Sequence, residues 1–248
     1  MLTRVHHVGL VVRRLEDGLA FWRDALGLRV SKQATVLDQG VKAALLPIGR
    51  SEIELLEPVD AKGGVARFLE KRGEGLHHVC FETPDVGAEL AGARAAGFPL
   101  IDETPRAGLA GTICFLHPKG TRGVLVEFAT PPPGAAHHPS AGSGPLGGLA
   151  LAEVTSRSRD VAGAAELFAS KLALERLGTD AVAAGGVRLR FVTDDADGEG
   201  LTGLVLDVAD LGAARPALAA FAPTAEGDGF HLDPERCHGV PLRFQRGA

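Results

Sequence analysis

The sequence predicts an α+β fold of two tandem domains, and three observations predict it. Short β-type runs alternate with single helices, the same phrases recur along the chain, and a stretch rich in Pro, Gly, Ser and Ala interrupts the pattern. Residues 73 to 83 read GEGLHHVCFET and residues 198 to 208 read GEGLTGLVLDV, one phrase used twice, the second time without its histidines.

The elements follow in order. VHHVGLVV (5 to 12) is rich in β-branched residues and predicts a strand, after which LEDGLAFWRDALGL carries Leu15, Leu19, Trp22 and Leu26 at helical spacing. VKAALLPI (41 to 48) and SEIELLEP (51 to 58) predict two further strands. The plan restarts with a strand at LHHVCFET (76 to 83), a helix over VGAELAGARAAG (86 to 97) that stops at Gly97, and strands at TICFLHP (112 to 118) and GVLVEFA (123 to 129). The two HHV triplets, starting at His6 and His77, set this repeat at 71 residues. TPPPGAAHHPSAGSGPLGG (130 to 148) has no apolar periodicity and reads as a linker, with His137 and His138 exposed in it. The plan then appears twice more. ALAEVTSR (150 to 157) leads into RDVAGAAELFASKLAL and VRLRFVT (187 to 193), and GLVLDVADLGAARPALAAF leads to GVPLRFQ (239 to 245). Four units of one plan result, dividing the chain into domains 1–130 and 148–248 around a linker at 131–147.

Composition narrows the function. The 248 residues are 45% hydrophobic with a formal charge of −5, which suits one large or two small globular domains. Without a run of Lys or Arg, and without Tyr as a stacking platform, a nucleic-acid partner is not expected. There is no apolar run of the ~20 residues that cross a bilayer, and MLTRVHHVG lacks signal-peptide character, so no membrane partner and a cytoplasmic location are expected. Cys80, Cys114 and Cys237 have no CxxC spacing and read as core thiols.

The two halves align. FLHPKGTRGVLVEF (115 to 128) lies over HLDPERCHGVPLRF (231 to 244) without a gap, keeping Leu, Pro, Gly, Val and Phe framework positions while Glu127 becomes Arg243. In the GEGL phrase His77 becomes Thr202 and His78 becomes Gly203, and the nearest polar residue to the aligned positions of His6 and His7 is Glu153. The second half keeps the framework and drops the side chains able to hold a metal. In the first half each unit has a histidine pair in its opening strand and a glutamate in its closing strand, at spacings of 47 residues (His7 to Glu54) and 49 residues (His78 to Glu127). Two imidazoles and two carboxylates suit a divalent transition ion with positions left open for water or substrate. Adjacent strand residues point to opposite faces, so one histidine of each pair is expected to face the ion. Glu52 and Glu57 read as solvated charges beside Glu54.

Together HHVGLVV, QGVKAALLPIG, SEIELLEP, FLEKRGEGLHHVCFE, FLHPKGTRGVLVEF and DETPRAGLAG resemble the methylmalonyl-CoA epimerases, a family of the vicinal oxygen chelate superfamily that includes the glyoxalases. The resemblance covers nearly all of residues 4 to 130. It implies paired βαβββ modules with curved mixed sheets and a metal held by His7, Glu54, His78 and Glu127. Cobalt is the ion it implies first, with manganese, nickel, zinc or magnesium as alternatives. It also implies a CoA thioester substrate, a place in propionate metabolism, and inversion at C2 through an enolate, with Glu127 as acid/base on one face. The partner base of some members falls at Ala43 here, so water or another residue would serve the second face. Arg106 and Lys119 are candidates for the substrate's phosphates or carboxylate. The same ligand set would also serve a glyoxalase-type enzyme acting on a glutathione or other thioester, and the missing base keeps a non-catalytic binding protein in view. The second half is expected to be a metal-free pseudo-partner, giving a monomer with an internal pseudo-dimer, the alternative being a homodimer.

Overall fold

The computed structural model describes residues 1–135, 146–193 and 198–247. Most of the linker, with His137 and His138, lies outside the described residues. Among the described residues sixteen strands and five α-helices run as four βαβββ repeats. The first is β1 (Arg4–Val11), α1 (Leu15–Leu19), β2 (Lys32–Val36), β3 (Val41–Ile48) and β4 (Ser51–Pro58). A connecting helix α2 (Gly64–Arg72) leads to the second: β5 (Gly75–Glu82), α3 (Val86–Ala95), β6 (Arg106–Gly108), β7 (Gly111–Leu116) and β8 (Val126–Thr130). The third is β9 (Leu149–Arg157), α4 (Val161–Lys171), β10 (Glu175–Leu177), β11 (Ala181–Ala184) and β12 (Val187–Val192). The fourth is β13 (Gly200–Val208), α5 (Leu211–Ala217), β14 (Thr224–Glu226), β15 (Gly229–Leu232) and β16 (Leu242–Arg246).

Two eight-stranded mixed sheets result, in the orders β2-β3-β4-β1-β5-β8-β7-β6 and β10-β11-β12-β9-β13-β16-β15-β14. The orders are the same pattern, and the pairs β5/β8, β9/β12 and β13/β16 are parallel. The predicted strands β3 and β4 appear with the bounds expected, because both carry continuous buried runs, Ala43–Leu46 and Ile53–Leu56. The strands missed are those without such a run. β2 is mostly exposed, β6, β10 and β14 have three residues each, and β11 and β15 have four. α2 was not expected either; it has no fully buried residue to mark a face.

Helix starts repeat a single device. Asp85, Asp160 and Asp210 each accept a backbone N–H three residues on, at 3.0, 2.9 and 3.1 Å, capping α3, α4 and α5. α1 follows Arg14, which makes no side-chain cap, and Glu57 takes that role from β4, accepting the Leu15 N–H at 2.7 Å. Glu57 is therefore not the solvated charge the sequence suggested. Burial pushes its pKa up, but the Leu15 N–H and Lys42 outweigh that and hold it below the usual carboxylate value. α1 continues as a π-helix over Ala20–Ala25, which buries Phe21 and Trp22.

The described residues form two compact units, and neither coincides with a half of the chain. The first contains Met1–His7, the second repeat from His78, and the third repeat from Glu153 on into β13 as far as Thr202; the second contains Val8–His77, the start of the third repeat up to Ala152, and the fourth repeat from Gly203. Each unit joins its repeats through a glycine turn. In the first, Gly123 (φ 80°) lies so close to Glu199 that a Cβ would fall 2.5 Å from its carbonyl carbon, and Arg122 pairs with Asp160 at 3.2 Å. In the second, a Cβ on Gly239 (φ 72°) would meet the Glu74 carbonyl oxygen at 2.3 Å, and His238 lies 3.2 Å from the Glu74 carboxylate. Glu199 and Glu74 each accept a backbone N–H at the start of the adjoining helix turn, from Arg159 at 3.1 Å and Arg13 at 2.7 Å. These glycines also explain the two strands predicted too early: β8 and β16 start three residues after Gly123 and Gly239 because the chain is still turning there.

Candidate metal centre

His7 stands in β1, whose eight residues are all buried, and His78 stands in β5. Glu127 is carried by β8, which pairs in parallel with β5 so that Cys80 lies opposite Glu127. His7, His78 and Glu127 are at most 3% exposed. Their donor atoms form a triangle: His7 Nε2 is 3.0 Å from His78 Nε2, and each of those nitrogens is 3.0 Å from Glu127 Oε2. Glu54, on β4, is 6% exposed, and one ligand atom from each of the four residues lies within 4.8 Å of all the others. The geometry thus brings together all four residues singled out in the sequence.

The donor set fits a divalent ion. Glu127 Oε2 is buried with two ring nitrogens 3.0 Å away, so that one carboxylate oxygen and two imidazole nitrogens face a common point. Burial pushes the Glu127 carboxyl up, yet the His7 and His78 imidazoles more than offset this and hold it at about 2. It is ionised at neutral pH.

The structure separates the members of each histidine pair. His77 is not in the group of four; its ring stacks edge-on against Phe68 of α2 at 4.9 Å. His6 is 5% exposed, and its Nδ1 lies 2.9 Å from His7 Nδ1. Phe115, which the sequence reading passed over, packs edge-on against His78 at 5.4 Å and is the cross-strand partner of Glu127. Its signal was its two-residue spacing from Ile113 on a strand whose other face is core. Arg106 lies over the Phe115 ring at 5.5 Å and is tied to Asp102 at 2.9 Å, while its buried Nη1 has no hydrogen-bond partner. Lys119 is exposed in the turn Pro118–Gly120. Ala43 is buried and apolar, with Leu56 opposite it on β4.

The second sheet carries the corresponding positions. Val12 N–H donates to Leu56 O in the first half and Ser158 N–H to Val192 O in the second, which sets Glu153 at the place of His7 and Arg190 at that of Glu54. The β5/β8 and β13/β16 registers likewise set Gly203 at the place of His78 and Arg243 at that of Glu127. Each charged replacement has its own ion pair: Glu153 with Arg188 at 3.1 Å, Arg190 with Asp180 at 3.0 Å and Arg243 with Glu226 at 3.2 Å.

Known proteins resemble about half of the chain. The Glyoxalase/Bleomycin resistance protein/Dioxygenase superfamily profile matches residues 6–116. The ethylmalonyl-CoA/methylmalonyl-CoA epimerase of Cereibacter sphaeroides is 35% identical over 131 residues, covering 52% of this chain and 98% of that protein. The human mitochondrial methylmalonyl-CoA epimerase is 34% identical over 129 residues, covering 51% of this chain and 73% of that protein. A solved structure of a Streptomyces coelicolor methylmalonyl-CoA epimerase variant with 2-nitronate-propionyl-CoA is 38% identical with a TM-score of 0.52, covering 55% of this chain and 100% of that one.

Proposed function

This chain belongs to the methylmalonyl-CoA epimerases of the glyoxalase/bleomycin resistance protein/dioxygenase superfamily, and from that premise we propose that it inverts C2 of methylmalonyl-CoA at the His7, Glu54, His78 and Glu127 centre. The observation that carries the reading is the buried triangle of His7 Nε2, His78 Nε2 and Glu127 Oε2, each atom 3.0 Å from the others. The four residues would hold a divalent ion, cobalt(II) being the one we put first. When bound, such an ion is a Lewis acid that makes a proton beside a thioester carbonyl easier to remove.

The chain's own groups account for much of the rest. Glu127, ionised and fixed between two imidazoles, accepts the C2 proton on one face and leaves the substrate as an enolate. Inversion then needs a proton returned to the other face. Ala43 has no proton to give, so water or a group other than the residue at that position delivers it. Arg106 presents an unpaired, buried Nη1 beside Phe115, suited to a substrate carboxylate or phosphate oxygen. Lys119 is offered as a contact for the CoA phosphates.

We read residues 1–130 as the catalytic domain and 148–248 as its metal-free pseudo-partner. Supporting this, the two glycine turns tie the halves together by matching contacts, as two subunits would meet across a twofold axis. The protein is then a monomer of 25.7 kDa, and a substantially larger mass in solution would overturn that part.

The direct test is α-proton exchange of methylmalonyl-CoA in deuterated water, followed by NMR, with cobalt-loaded protein and with Glu127→Gln. Exchange with inversion that the variant loses is expected. Exchange of a glutathione thioester instead would assign a glyoxalase-type reaction, and bound metal without exchange of either would leave a binding role.

A further inference from the structure

His6 is deeply buried yet stands outside the group of four proposed ligands. Its ring stands edge-on to His7, with centroids 5.1 Å apart, and the two Nδ1 atoms are 2.9 Å apart. At that distance between neutral rings one Nδ1 carries a proton and the other accepts it. The direction matters, because a neutral imidazole has one N–H. If His6 donated, His7 would carry its proton on Nε2, the atom that faces His78 Nε2 and Glu127 Oε2 at 3.0 Å each, and would have no lone pair there for an ion. If His7 donates from Nδ1, its Nε2 presents a lone pair to the other ligand atoms.

We propose that His6 is a positioning residue for His7: its Nδ1 accepts the His7 Nδ1–H, which fixes the ring and keeps Nε2 unprotonated toward the metal. Ligating histidines commonly hand their second N–H to such an acceptor, and losing it costs about 10- to 100-fold in metal affinity. The second half supports the assignment, since Glu153 replaces His7 there and Ala152 stands at the place of His6. Ligand and acceptor are absent together. The inference rests on the metal reading above.

The test is calorimetric titration with cobalt(II) of the full chain, His6→Asn and His6→Leu, with thermal melting of each metal-free protein as the folding control. Asn Oδ1 stands near the position of an imidazole Nδ1 and accepts the same proton, whereas Leu cannot. His6→Leu is expected to lose about 10- to 100-fold in affinity and His6→Asn to recover most of it. Nitrogen-15 NMR of the unaltered metal-free protein is expected to show His7 protonated at Nδ1, a result that does not depend on any variant folding. Equal affinity in His6→Leu, equal loss in both variants, or a His7 protonated at Nε2 would overturn the proposal while leaving the metal reading intact. Two cobalt ions per chain, with a thiolate absorption band that Cys80→Ser removes, would also overturn it, since His6, His7 and Cys80 would then be ligands of a second ion. An unaltered chain that binds no cobalt would overturn both.

Discussion

The two halves of the chain share one backbone plan and carry opposite chemistry. Where the first half gathers His7, Glu54, His78 and Glu127, the second has Glu153, Arg190, Gly203 and Arg243. The strand order is unchanged, the aspartate caps of α3, α4 and α5 span both halves, and the glycine turns at Gly123 and Gly239 match. This fold is therefore kept by framework contacts and not by its central polar group. Two imidazoles and two carboxylates converge in the first half as a donor set that would suit an ion, whereas each charged residue at the matching places of the second half has its own partner.

The sharpest way to break that comparison is to remove one ligand. Glu127→Gln is expected to lower proton exchange by about 10²- to 10⁴-fold, as removal of a general base does. Arg243→Gln, at the matching place, should leave exchange unchanged, and a comparable loss there would show that the second half takes part in the chemistry. Next in size are the turns. Gly123→Ala and Gly239→Ala each place a Cβ within 2.5 Å of backbone at a positive φ, so each is expected to cost about 2 kcal/mol or more by urea unfolding. Unequal costs would show that the two joints are not equivalent.

Loss of a cap should be smaller. Asp85→Ala, Asp160→Ala and Asp210→Ala are each expected to cost about 1 kcal/mol in the same assay. Glu57→Gln tests whether the borrowed cap of α1 behaves like the aspartates; because Glu57 is held below its usual value of 4.5, its contribution is present above that pH and is lost as pH falls below it.

The smallest effect at neutral pH concerns two of the three thiols, Cys114 in the first half and Cys237 in the second. Burial pushes Cys114 and Cys237 up from 9.0 to about 12, so both stay protonated in the folded protein. Neither should react with alkylating reagents near pH 8 before unfolding. Their contribution to stability is complete below pH 9.0 and falls as pH rises from there toward about 12, since the unfolded thiols ionise first. Rapid labelling of the native protein would contradict this.

The repeat, the α+β class, the bounds of β3 and β4, and the two histidine pairs with their two matching glutamates were legible in the sequence, because each shows in the pattern of the chain itself. Periodicity follows from which residues must be buried, and a repeated phrase is visible at any distance along the chain. Only the tertiary structure decided which histidine of each pair meets Glu127, that Phe115 backs His78, and that Glu57 caps a helix forty-two residues earlier. It also decided that the compact units draw repeats from both halves. These depend on strand register and on contacts between segments distant in the chain. A strand alternates its faces by a fixed rule, but which face turns inward is set by what packs against it.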